Sequence, residues 1–301
     1  MKDVVLITGA NGHLAKVVSR HLNTDYEVRH LTTRKPSSSE DSYFHWDIEK
    51  GYIDPKALDN CKHIVHLAGY SILKRWTTKN KQIMYDSRIK SANMILDSCK
   101  KMNIKPKTFI TASAIGIYDQ SGQENIHEYS QKGNDWVAKM ACDWENAANT
   151  FKALGSRVVQ MRISLIFSEK AGFLKYSLLS MKYGLGLIIG DKNRNVNWIH
   201  VEDIASFIKE NISNNKYNGP YNLACEDKIS QENFIKVIRK NLFPYSIVIK
   251  IPMFLVGFFL GERSQIIAAN LSLETTKIKE HGFKCKFNTL EQMIANLKIN
   301  L

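Results

Sequence analysis

Thr8-Gly9-Ala10-Asn11-Gly12-His13-Leu14-Ala15 sets two glycines three residues apart, between an apolar run and the first helix-like stretch. A turn of this type can hold a pyrophosphate. Gly9 permits the tight turn, Gly12 lets the backbone come close to the phosphates, and the free N–H groups at the helix start hold the negative charge. Ala15 stands where a third glycine is usual. That position needs only a small side chain where helix meets sheet, so alanine serves. Asn11, His13 and Leu14 complete the turn expected to face a dinucleotide. The alternative is a plain strand–helix turn with no ligand.

The second apolar run ends in Thr32-Thr33-Arg34-Lys35-Pro36. NAD-selective sites carry an acid near this point for the ribose 2′-hydroxyl. Two cations here suit the 2′-phosphate of NADP, and Arg34 is the residue expected to hold it. The other reading of the pair is a solvated loop. Asp47, in Trp46-Asp47-Ile48, is expected against the adenine amine. His66-Leu67-Ala68-Gly69 ends a third run with small residues, and at Leu67, Ala68 and Gly69 a cofactor could lie close to the backbone.

Such residues need strand ends held in a row. Apolar runs at Val4–Thr8, Glu27–Thr32, His63–Leu67, Thr108–Ala112 and Arg157–Ile163 alternate with helix-like stretches at Leu14–Leu22, Asn80–Met102 and Trp136–Leu154. That rhythm predicts an α/β fold, a Rossmann-type doubly wound parallel sheet with a smaller C-terminal α/β substrate lobe. The nucleotide-binding domain is expected over residues 1–165, its core also drawing on 195–225, with the lobe over 166–301. In the lobe a helix should start near Glu202-Asp203, where an acid can cap free amides. A strand is expected over Tyr245–Lys250 and a helix over Phe254–Leu260. Ser37-Ser38-Ser39-Glu40-Asp41 reads as a polar loop.

The 301 residues are 44% hydrophobic and 24% charged, an ordinary globular composition. No stretch approaches the roughly 20 apolar residues that cross a bilayer. Ile251–Leu260 is short, contains Pro252 and is followed by Glu262-Arg263, so it is expected to pack in the core of the lobe and not to engage a membrane. The N-terminus reads as a strand and not as a signal peptide. Five scattered cysteines form no ligand pattern, which argues for a reducing cytoplasm and against a metal. The net charge of +13 could attract nucleic acid, but the basic residues are interleaved with acids and apolar residues and form no recognised nucleic-acid motif. The expected partner is a small-molecule substrate. The oligomeric state is open between monomer and homodimer.

Longer stretches sharpen the reading. HLAGYSILKRWT at 66–77, DSRIKSAN at 86–93, SAIGIYD at 113–119, DWVAKMACDWENAA at 135–148 and NWIHVEDIA at 197–205 resemble the extended short-chain dehydrogenase/reductases. Within these they are similar to the atypical, NAD-dependent epimerase/dehydratase-like "epimerase family" proteins. LGERSQIIAANLSLETTKIKEHGF at 260–283 is similar to that subgroup's small C-terminal domain of unknown function, here at about 248–296. The resemblance implies a Rossmann core, bound NADP(H), and a small carbonyl or sugar-like substrate.

Extended members usually carry a Ser or Thr and a Tyr-x-x-x-Lys pair that exchange a proton with substrate. Aligning Tyr118 with the tyrosine of the usual S-S-x-x-V-Y-G stretch puts Ala114 at the serine position, beside Ser113. Aligning Glu145 with the acid after the pair puts Val137 and Ala141 where Tyr and Lys belong. Ser113, Tyr118 and Lys139 are the nearest catalytic candidates. Lys139 sits two residues out of step on a helix that turns about 100° per residue. Arg75, Lys81, Arg88, Glu128 and His200 are candidates for the substrate pocket, Arg88 for an anionic group. Glu145 and Trp144 are expected to pack and cap within their own helix. Two functions stay open: an NADP(H)-dependent oxidoreductase or epimerase-like enzyme without the usual pair, and a catalytically silent NADP(H)-binding sensor or interaction module.

Overall fold

In a computed structural model, residues 2–37, 41–119 and 125–297 are described. Ser38–Glu40 of the expected polar loop lie outside them. In chain order the strands are β1 (Val4–Thr8), β2 (Glu27–Thr32), β3 (Tyr43–Asp47), β4 (Tyr52–Ile53), β5 (Cys61–His66), β6 (Thr108–Ala114), β7 (Arg157–Ile163), β8 (Leu165–Phe167), β9 (Leu185–Ile189), β10 (Asn195–Val196), β11 (Trp198–His200), β12 (Gly219–Leu223), β13 (Ile229–Ser230) and β14 (Ile247–Ile251). The main helices are α1 (His13–Leu22), α2 (Thr78–Asp86), α3 (Ile89–Lys101), α4 (Trp136–Asn149), α5 (Gly172–Lys182), α6 (Val201–Ser213), α7 (Gln231–Leu242) and α8 (Met253–Leu260).

Eight strands form one sheet in the order β12-β7-β6-β5-β1-β2-β3-β4. β1 pairs in parallel with β2 and β5, β2 with β3, and β5 with β6; the short β4 returns antiparallel. This is the expected α/β architecture with a mostly parallel central sheet. The pattern follows from burial. Every residue of β1 is buried, as a strand covered on both faces requires. α1 turns Ala15, Val18 and Leu22 inward at helical spacing and its charged residues outward.

The helix expected over Asn80–Met102 is two helices. The Met84 carbonyl, which would accept from Arg88 N in a continuous helix, accepts instead from Ser87 Oγ at 3.0 Å and Arg88 Nη1 at 2.9 Å. Arg88 N turns back to Tyr85 O. Side-chain donors thus compete with the backbone ladder and break it. The run expected to Leu154 stays α-helical to Asn149, tightens to a 3₁₀ turn, and stops at Gly155, whose φ is +81°.

The described chain divides into two compact units: residues up to Ile117 with Asn134–Arg162 and Ile204–Tyr221, and Tyr118–Gly133 with Ile163–Asp203 and Asn222 onward. The second unit has its own core, centred on Phe167, Trp198, Phe234 and Leu290. Asp203 does not cap α6 as expected. Its carboxylate accepts from Lys286 N and Phe287 N, more than 80 residues further along the chain. A second correction concerns α8. Only Val256 of this helix is buried, while Phe254, Phe258 and Phe259 are 73–82% exposed, so the segment is not lobe core. Its residues are apolar on every side, and a single helix can turn only part of its surface inward.

Candidate cofactor site

The chain passes from β1 to β2 and β3 on one side of the sheet, then crosses to β5 and β6 on the other. Strand order therefore reverses between β1 and β5. Open α/β sheets bind ligands at the carboxyl ends of the strands at such a reversal. Thr8 ends β1 and His66 ends β5.

Thr8 joins the two strand ends. Its Oγ1 accepts from Leu67 N at 3.0 Å and Ala68 N at 2.9 Å, fixing the loop that follows β5. Gly9, with φ +74°, follows at once. A Cβ there would lie 2.9 Å from the Leu67 carbonyl oxygen, closer than real Cβ atoms come. Gly12 N donates to Gly9 O at 2.8 Å and closes the turn.

α1 then starts with Gly12 as its N-cap, no side-chain cap and no acid in its first turn. Asn11 and Gly12 are exposed, and His13 and Leu14 half-buried. An uncapped helix start with a glycine approach fits a pyrophosphate on geometry and charge together.

Arg34 and Lys35 lie exposed just beyond β2, where Arg34 N donates to Thr32 Oγ1. Asp47 ends β3, but its Oδ1 accepts from Glu49 N and Lys50 N, both at 3.0 Å. These bonds hold its carboxyl below the usual carboxylate range. One of its oxygens therefore builds the turn after β3. Gly69 is exposed, and a Cβ on it would stand 3.0 Å from the Arg88 guanidinium.

The guanidinium of Arg88 faces inward. Besides Met84 O, its Nη1 donates to Tyr70 O at 3.1 Å, and its Cζ lies 5.0 Å from the Trp144 ring centroid. Burial pushes its pKa down to about 10. These contacts tie the 67–70 loop to the break between α2 and α3, a role that spacing did not reveal.

Positions 137 and 141 carry no proton-transfer group. Val137 packs toward Gly116, where a Cβ would meet Val137 Cγ1 at 3.1 Å, and Ala141 is buried. Lys139 is exposed, two residues round the helix from both. Asp135 caps α4 through Val137 N and Ala138 N. Ser113 Oγ donates to Glu145 Oε1 at 2.8 Å. Glu145 in turn is held by Arg162, Nε to Oε1 and Nη2 to Oε2, both at 2.8 Å. Glu145 thus ties α4 to β7 and does not serve its own helix as expected. The overlooked signal was Arg162 itself, a charge inside the buried run Arg157–Ile163, which demands a partner.

The Lys81 ammonium lies beside a pair of contacting indoles, 5.7 Å from Trp76 and 5.3 Å from Trp136, whose centroids are 5.1 Å apart. Tyr85, one turn further along α2, donates to Asp143 Oδ2 at 3.2 Å. Arg75 is exposed, and its carbonyl accepts from Asn80 Nδ2. In the second unit, Tyr118 is fully buried and donates to Asn222 Oδ1. Asn222 N donates to Glu128 Oε1 at 2.8 Å, so Tyr118 and Glu128 meet through one asparagine. His200 accepts from Glu202 N through Nδ1 and packs on Phe287.

A mostly parallel sheet that reverses at a glycine cradle defines a Rossmann-type protein of dinucleotide-binding design. The model of the NAD dependent epimerase/dehydratase family matches residues 5–224, and the chain belongs to that family. Epimerase family protein YfhF of Bacillus subtilis is 31% identical over 304 residues, covering 98% of this chain and 99% of its own. The crystal structure of human epimerase family protein SDR39U1 with NADPH is similar in fold, with a TM-score of 0.85 and 20% identity over 99% of this chain and 100% of that one. A UDP-N-acetylglucosamine 4-epimerase from Methanobrevibacter ruminantium, in complex with UDP-N-acetylmuramic acid, superposes with a TM-score of 0.76 at 18% identity, over 98% and 96% of the two chains.

Proposed function

We propose that this chain is an NADP(H)-binding oxidoreductase or epimerase-like enzyme acting on a small carbonyl or sugar-like substrate, without a Tyr-x-x-x-Lys pair. The observation that carries the cofactor is the uncapped start of α1 behind a Gly9 that has no room for a Cβ. Gly9, Gly12 and the α1 amides would hold the pyrophosphate. Leu67, Ala68 and Gly69 would form the floor, and Arg34 would meet the 2′-phosphate. Asp47 Oδ2, 3.7 Å from Lys50 Nζ, would turn to the adenine amine. The NADPH in the human relative's crystal structure supports the same choice of cofactor. When bound, the nicotinamide supplies hydride chemistry of its own. The chain's part is to orient the dinucleotide and to hold the Lys81 ammonium against the Trp76 and Trp136 rings.

A second reading, a catalytically silent NADP(H) sensor or interaction module, is favoured by Val137 and Ala141. No proton can move at those side chains, and Ser113 and Tyr118 are engaged with Glu145 and Asn222.

Titration with NADPH and NADH, followed by nicotinamide absorbance against aldehydes, ketones and nucleotide sugars, tests both readings. Tight NADPH binding with turnover supports the enzyme, and the same binding with none supports the sensor. Failure of NADPH to bind wild type, or binding that survives Gly9→Val, overturns both.

A further inference from the structure

Fourteen large apolar residues are exposed among the described residues, and eleven of them fall within 176–185 and 245–259, all in the second unit. β14 pairs in parallel with β9, Ile247 opposite Leu185, Ile249 opposite Leu187 and Ile251 opposite Ile189. Side chains alternate along a strand, so these six aliphatics share one face of a two-stranded ribbon. The other face holds Ile188, in the core of the unit, Val248, packed against that core, and Lys250. The outer face thus has no polar residue along its length, and Ile247 is 67% exposed. At one end of the ribbon, Tyr245 Oη donates to Lys182 O and adjoins the stripe Tyr176, Leu179 and Tyr183 of α5. At the other end, Pro252 leads directly into α8 and its exposed phenylalanines.

Charge decides the occupant. Residues 172–190 and 233–261 contain no aspartate or glutamate, although the chain carries 29 acids in 301 residues. The same segments expose Lys175, Lys182, Lys240 and Lys250. Lys175 and Lys182 sit seven residues apart, on a stripe of α5 beside the exposed Tyr176 and Tyr183. An apolar face with protruding Phe, on segments that carry lysines and no acid and are flanked by Asp191 and Glu262, matches the interfacial region of an anionic bilayer. A second copy of this chain would bring like charges against like.

We propose that this face of the second unit docks the chain on the surface of an anionic lipid bilayer, with Phe254, Phe258 and Phe259 entering the acyl boundary. It is a surface contact and not a span: no described helix is long and apolar enough to cross a membrane. The proposal revises the expectation that no membrane is engaged, and it is independent of the cofactor.

The test is co-sedimentation of the full chain with phosphatidylcholine vesicles, with and without phosphatidylglycerol. Binding is expected only with phosphatidylglycerol and should weaken with salt. The triple variant Phe254→Ser, Phe258→Ser, Phe259→Ser should lower the partition coefficient by roughly a hundredfold or more. Lys175→Glu with Lys182→Glu, which leaves the apolar face intact, should lower it by roughly thirtyfold or more. Absence of binding to phosphatidylglycerol vesicles overturns the proposal. So does a dimer, seen by light scattering, that the triple variant converts to monomer while vesicles bind nothing; a second copy then covers the face.

Discussion

Thr8 Oγ1 lies 2.9 Å from His66 Nδ1, and the surroundings fix which atom donates. His66 Nε2 faces Arg88 O at 3.1 Å, and a carbonyl can only accept. Nε2 therefore carries the proton, and Nδ1 accepts from the Thr8 hydroxyl. The two lone pairs of Thr8 Oγ1 remain for Leu67 N and Ala68 N. One buried hydroxyl thus links β1, β5 and the loop proposed as the cofactor floor, with all its hydrogen-bonding capacity used.

Thr8→Val keeps the shape and removes the oxygen. Two backbone amides and a ring nitrogen lose their partner, at about 1–3 kcal/mol for each group left buried and unpaired. Urea unfolding should show a loss of roughly 3 kcal/mol or more, and NADPH affinity should fall about tenfold as the loop loosens. Thr8→Ser should restore most of both. Unchanged stability in Thr8→Val would show that the hydroxyl does not hold the loop.

Burial holds His30, His63 and His66 at pKa values of about 4, below the ordinary 6.5. Between these values the unfolded chain binds protons that the folded chain does not, so stability rises with pH across the window. The contribution is complete above pH 6.5 and is lost as pH falls towards 4, with up to about 3 kcal/mol for each histidine. Urea midpoints should drop steeply through this range. His66→Gln should flatten that slope, whatever it costs at neutral pH; a slope equal to that of wild type would mean that His66 is protonated as readily folded as unfolded.

Glu145 and Arg162 are both buried, so either one without the other leaves an uncompensated charge. Arg162→Met should destabilise by about 3–5 kcal/mol, read from chemical unfolding. Glu145→Gln with Arg162→Met removes both charges and should recover part of that loss. Additive losses in the double variant would argue against a coupled pair.

Arg34→Ala should weaken NADP(H) binding by roughly tenfold to a hundredfold and leave NAD(H) binding nearly unchanged, because only the former carries the 2′-phosphate. Calorimetric titration of both cofactors reads the difference. Equal losses for the two would remove Arg34 from that role.

Much of this protein was legible from local pattern. Val4–Thr8, Glu27–Thr32 and Arg157–Ile163 are strands with the bounds expected of them, most simply Val4–Thr8, which is buried on both faces and reads as a continuous run without charge. The glycine turn was equally legible, since only glycine tolerates the φ of residue 9 so close to another strand's carbonyl. The absence of Tyr and Lys at 137 and 141 needs only counting along one helix.

What the chain could not state locally are the contacts that close over long separations. Thr8 meets His66 across 58 residues, and Asn222 reaches Tyr118 across 104. The break between α2 and α3 depends on side chains taking a carbonyl that helix periodicity assigns to the backbone. The outward face of α8 follows the same logic. Its composition requires burial somewhere, but which apolar surface a fold covers is settled only when all the competing surfaces have been packed together.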